Sequence, residues 1–188
     1  MFYQVGLSQI FNHKIVYNDE DFQRCRNFSP KVGTQYGHFT EKNFPKEDFE
    51  AHGVVFKAPI IGIDQFDNIA CEGQIISIPP QKVSKIYSVG FCEIGRFTEN
   101  IACLNDKKIV SNSKVFFYQF GILGNTIRTY DIQSNNCKIA LTDKKTVEDA
   151  WLYYYESLEI KTNSEIDALV LPDNPFLHIM ALTLKLFD

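Results

Sequence analysis

The sequence predicts an all-β fold, a two-sheet, jelly-roll-like β-sandwich, on three observations. Short apolar stretches recur along the chain, Gly, Pro and Asn separate them at close intervals, and almost no amphipathic helical period interrupts them. The 9 tyrosines and 16 phenylalanines fit the same fold, since such rings favour strands over helix interiors.

Taken in order, residues 1–15 read as an opening strand pair or a strand and bend, with Tyr3, Val5 and Leu7 alternating. A long excursion follows at about residues 18–52. It begins polar, passes turn residues Asn27 to Pro30 and Gly33, and then mixes aromatic rings with charges without a sustained period. One helical turn is expected near residues 46–51, where Pro45 suits an early helical position. Residues 53–57 form a short strand ended by Pro59. A loop at 64–68 leads into residues 69–71, Glu72-Gly73 breaks the chain, and a strand follows from Gln74 to Ile78. Pro79-Pro80 is expected to end that strand, because proline cannot supply the ladder donor. Residues 85–92 are a further strand, in which Gly90 marks a bulge or a close backbone approach.

Beyond a loop at 93–97, residues 98–104 and 107–110 read as a hairpin around Asn105-Asp106, and 115–120 as a separate aromatic strand. Gly121 and Gly124 admit a turn before short extended stretches at 127–132 and 137–141, and residues 142–150 are ambiguous between loop and helical turn. Residues 151–160 resume aromatic strand character. The last two strands are 168–171 and 176–186, joined by the Pro172-Asp173-Asn174-Pro175 turn. In the final strand Phe176, His178, Met180, Leu182, Leu184 and Leu186 share one parity, which predicts a single inward face. At 188 residues, with no internal division, the chain is read as a single domain, 1–188.

Composition narrows the function. A net charge of -4, with the cations dispersed, offers no footing for a phosphate backbone, so nucleic acid is disfavoured. No apolar stretch reaches the roughly 20 residues needed to cross a bilayer, and no membrane partner is expected. Cys25, Cys71, Cys92, Cys103 and Cys137 form no CxxC pair and no amino-terminal secretory pattern precedes them, so reduced thiols in a cytoplasmic protein are expected. His13, His38, His52 and His178 form neither HxH nor HExxH, and the spacing predicts no metal and no cofactor. His178 is read instead as a buried or interfacial imidazole held by hydrogen bonds. GxSxG, phosphate-loop and dinucleotide fingerprints are missing as well.

What remains is a binding surface. Trp151, Tyr153 and Tyr155 share one strand parity and make a stacking platform if that face is open. Glu93 and Arg96 follow a strand immediately, Asp64, Asp67 and Asn68 occupy another loop, and Tyr36 and His38 lie in the excursion; these are candidate polar ligand contacts if the loops meet.

Four stretches carry a family resemblance: Phe11-Asn12; residues 53–56 leading to Asp67-Asn68-Ile69; residues 73–79 with 85–90; and residues 164–184. In this succession the chain resembles a bacterial jelly-roll accessory domain found beside glycoside hydrolases, where it looks like a carbohydrate-binding module. The resemblance implies a noncatalytic protein recognising a glycan or small sugar through aromatic and loop polar residues. Two alternatives stay open: a small glycoside-processing enzyme using paired carboxylates such as Glu72, Glu93 and Glu99, and a structural or interaction module forming a homodimer.

Overall fold

A computed structural model of the chain describes residues 1–17, 31–32, 35–36, 39–41, 44–62, 65–118, 131–132, 138–140, 147–149 and 152–187. Its described elements, apart from turns and bends, are strands: β1 (Phe2–Val5), β2 (Val16–Tyr17), β3 (Lys31–Val32), β4 (Gln35–Tyr36), β5 (Phe39–Thr40), β6 (Phe49–Ala51), β7 (Val54–Phe56), β8 (Ile69–Glu72) and β9 (Ile75–Gln81), then β10 (Val83–Cys92), β11 (Arg96–Asn105), β12 (Lys108–Tyr118), β13 (Asp131–Ile132), β14 (Lys138–Ala140), β15 (Val147–Asp149), β16 (Leu152–Glu156), β17 (Ile166–Val170) and β18 (Asp173–Leu186). The fold is the expected all-β sandwich.

One principal sheet runs β1-β18-β10-β16-β13, with β8 also paired to β18; the other runs β12-β11-β17-β9. Strand β18 is the spine. One edge pairs with β10, while β8 takes the first half of the opposite edge and β1 the second. Leu171 and Pro172 are all that separate β17 in one sheet from β18 in the other, so the expected four-residue turn is replaced by a sheet-to-sheet crossing.

The single inward face expected for this strand is not what forms. Every residue from Leu177 to Leu184 is buried, because both faces are covered. Val89 pairs with Ala181 and Gly90 with Ile179, which leaves Met180 as an extra residue, a bulge that reverses the side-chain phase. His178 and Thr183, of opposite parity in sequence, thereby come to one face, and the Thr183 hydroxyl donates to Val55 O at 2.8 Å.

Gly90 is also a point of close approach between the two sheets. A Cβ there would lie 2.0 Å from the His178 carbonyl oxygen and 2.6 Å from the Phe117 ring of β12. The Cys92 thiol donates to Phe117 O at 3.2 Å beside it. Both readings of Gly90, bulge and close packing, hold at once.

Three local expectations are corrected. Instead of a helical turn at 46–51, β6 and β7 make a hairpin whose two-residue turn, His52-Gly53, has φ of 52° and 77°. Two positive φ values suit the right-handed strand twist, and the Phe49 and Phe56 rings stack across the pair at 5.6 Å. Strand β9 runs through Pro79-Pro80 to Gln81 because it is an edge strand, where a missing donor costs no ladder bond, and its pairing slips at that point. The stretches expected as separate, 107–110 and 115–120, are joined over their described residues 108–118 in one strand, β12, which leaves β11 through the positive-φ pair Asp106-Lys107.

Cys71, Cys92 and Cys103 are free and buried. Burial pushes the Cys92 thiol up to about 12 and Cys103 to about 11, and moves Cys71 further in the same direction. These three cysteines will therefore resist iodoacetamide at pH 8 in the native protein and react in denaturant, as peptide mass mapping will show; native labelling of any one of them would contradict their enclosure. Cys25 and Cys137 lie outside the described residues.

Candidate functional site

The site forms where the segment before β2, the entry to β8, the end of β10 and the first half of β18 converge. Asn12 prepares it. Its side-chain amide pairs with Ala70 in both directions, accepting from Ala70 N at 2.8 Å and donating to Ala70 O at 3.1 Å, much as a neighbouring strand would. His13 then bridges Asn68 through its backbone. The 11–17 segment is thereby held against β8.

Asp67 and Asn68 are the buried foundation, both 0% exposed. The Asp67 carboxylate accepts from Ile15 N–H at 3.0 Å, Val16 N–H at 2.9 Å and the Asn68 side-chain amide at 2.8 Å. The Lys14 ammonium stands 3.9 Å away and donates to the carbonyls of Gly62 and Gln65. Burial pushes the Asp67 carboxyl up to about 6 despite these four favourable partners.

From that foundation the orientation of the site follows by donor and acceptor logic. Asn68 Nδ2 donates to His13 O, which can only accept, so the Asn68 oxygen must be the atom that faces the two imidazoles. His178 Nδ1 lies 2.7 Å from that oxygen and His13 Nδ1 lies 3.2 Å from it. Each Nδ1 therefore carries a proton, which leaves Nε2 as the unprotonated nitrogen of either ring when that ring is neutral. His178 Nε2 lies 3.0 Å from Glu93 Oε1. Phe91 stacks on His178 with ring centroids 4.6 Å apart and planes 6° from parallel, and the His13 ring meets its edge at 4.6 Å. The imidazole thus has little freedom to turn.

The bulge at Met180 sets His178 opposite Phe91 in the ladder, and Glu93, just beyond β10, is anchored by its N–H to Phe176 O at 2.9 Å. His178 is fully enclosed, whereas the Glu93 side chain is 21% exposed and His13 is half-buried. The centre is rigid on its inner side and wet on its outer side. One ligating atom each from His13, Glu93 and His178 lies within 4.8 Å of the others.

The structure joins Glu93 to the Asp67-Asn68 loop through His178. Asp67 itself is corrected as a ligand contact: its oxygens are occupied by backbone donors in the interior. Tyr153 is corrected too, since it is 2% exposed and packs at 5.6 Å on Tyr118, leaving no open stacking face. Arg96 is exposed at the start of β11. Tyr36 is placed in β4, and His38, Asp64 and Trp151 lie outside the described residues. His178 is the buried, hydrogen-bonded imidazole its parity implied. His13 carried no signal, because its partners are remote in sequence and no local spacing announces them.

Fold and site together define a ligand-binding or structural β-sandwich module. The chain belongs to the AziU2-like beta-sandwich domain family, whose model matches residues 10–186. A search of curated proteins finds no match. No helix among the described residues is long and apolar enough to cross a membrane.

Proposed function

We propose that this β-sandwich is a noncatalytic carbohydrate-binding module, with the sugar seated at Glu93 and the polar groups gathered around it. The observation that carries the reading is a partly exposed carboxylate held in one orientation by a buried His178-Asn68-Asp67 chain. Fixed acceptors of this kind suit hydroxyl groups, because the protein side loses little entropy when a ligand binds. Apolar surface lies close along the chain: Phe176 is 44% exposed and anchors Glu93 through its carbonyl, and Phe66, 54% exposed, precedes Asp67. These rings, rather than Tyr153, supply the faces on which sugar carbon–hydrogen surfaces pack.

Calorimetric titration of the full chain against a panel of mono- and oligosaccharides tests this. Binding of at least one panel member, weakened tenfold or more by Glu93→Ala with the thermal midpoint retained, is the expected result. A folded protein that binds no member, or binds equally well after Glu93→Ala, rejects the reading.

A further inference from the structure

We propose that His13, Glu93 and His178 form a binding site for one divalent first-row transition ion, with zinc as the probe of choice. The site shares its location with the carbohydrate reading but does not depend on it, and it stands on three features. The first is donor chemistry. Two imidazoles and one carboxylate are the set that binds such ions while leaving coordination positions open for water or a ligand.

The second is geometry. Two donors bound to one ion at roughly 2.0 to 2.2 Å come to lie about 3 to 3.6 Å apart at coordination angles between octahedral and tetrahedral. His178 Nε2 and Glu93 Oε1 are 3.0 Å apart already. His13 lies within 4.8 Å of the other two donors, and a side-chain movement of up to about 2 Å completes the set.

The third is the orientation of the rings. Asn68 Oδ1 takes the Nδ1 protons of both imidazoles, so a neutral His178 turns a bare Nε2 lone pair toward a carboxylate oxygen. Two lone pairs at that distance repel unless a positive centre lies between them. A proton can serve, and so can a metal ion. A hydrogen-bonded outer group that fixes the imidazole tautomer is the arrangement metal-binding histidines generally use. Here the outer group is itself fixed, by Asp67 Oδ1 and His13 O. Burial of His178 beneath partly exposed Glu93 and His13 leaves the solvent side as the path of entry.

The test uses the full chain after treatment with a chelator. Zinc titration by calorimetry is expected to show one ion per chain with micromolar or tighter affinity, and zinc should raise the thermal midpoint. Cobalt should give visible d–d absorption that zinc abolishes. Glu93→Gln and His13→Ala, both at partly exposed positions, are expected to weaken zinc tenfold or more while the circular dichroism spectrum stays β-rich. Absence of zinc and cobalt binding by the folded protein overturns the proposal, as does unchanged affinity in both variants. Repeating the sugar titration with and without zinc separates the two readings. Sugar binding in a protein that takes no metal sinks the metal site alone, whereas metal binding without any sugar supports the metal site and sinks the carbohydrate reading.

Discussion

Gly90→Ala is expected to destabilise the protein by about 3 kcal/mol or more, a large fraction of a domain's stability. The added methyl would sit 2.0 Å from the His178 carbonyl oxygen and 2.6 and 2.9 Å from two Phe117 ring carbons. A flexible side chain could move aside, but the first obstacle is the backbone of β18, tied into the ladder between β10 and β8. The second is a fully buried ring in the facing sheet. Relief therefore requires either breaking the Gly90–Ile179 pairing or parting the sheets. Overpacking ordinarily costs about 1 to 3 kcal/mol, and the backbone collision puts this variant at or above the top of that range. Urea denaturation would show the midpoint collapsing. A near-native midpoint would mean the sheets do not meet at Gly90. Because the collision falls on His178, any variant that remains folded should also weaken the zinc binding proposed above.

Asp67 governs a second large effect, one that depends on pH. Its folded carboxyl is raised to about 6 from an ordinary 3.8. The native state therefore holds the proton more tightly than the unfolded chain does. The stabilisation linked to that proton is fully present below about pH 4 and is lost as pH rises through about 6, so this group makes the protein less stable on going from pH 4 to pH 7. The linked change across that range is roughly 3 kcal/mol. Unfolding free energies measured across that range should fall by an amount of this order relative to Asp67→Asn, in which the titration is removed. Parallel profiles for the two proteins would contradict the assignment. Asp67→Ala is a different perturbation. It strands the Ile15 and Val16 N–H groups and leaves Lys14 without its carboxylate, for an expected loss of about 3 to 5 kcal/mol.

Several features of this molecule were legible in one dimension. Alternating apolar residues and closely spaced turn residues implied the sandwich, Gly90 announced its own crowding, and the parity of His178 implied a buried, hydrogen-bonded ring. Other features misled for identifiable reasons. Pro79 and Pro80 end a strand only if it has neighbours on both sides, and edge position is a property of the sheet. The 46–51 stretch resembled a helix start because Pro45 suits one, yet the Phe49–Phe56 pairing across His52-Gly53 wins. Parity groups Tyr153 with Trp151 and Tyr155 without saying whether that face is open, and packing against β12 makes Tyr153 core.

By itself the sequence determined the class of fold and which residue types were on hand for chemistry, because periodicity and turn preference act over a few residues. Only the tertiary structure decided that His13, Glu93 and His178 meet. Their convergence depends on a bulge at Met180 that inverts the phase of β18 and on Asn68 reaching two rings from separate segments. Such contacts link positions far apart along the chain, and proximity of that kind leaves no trace in local spacing.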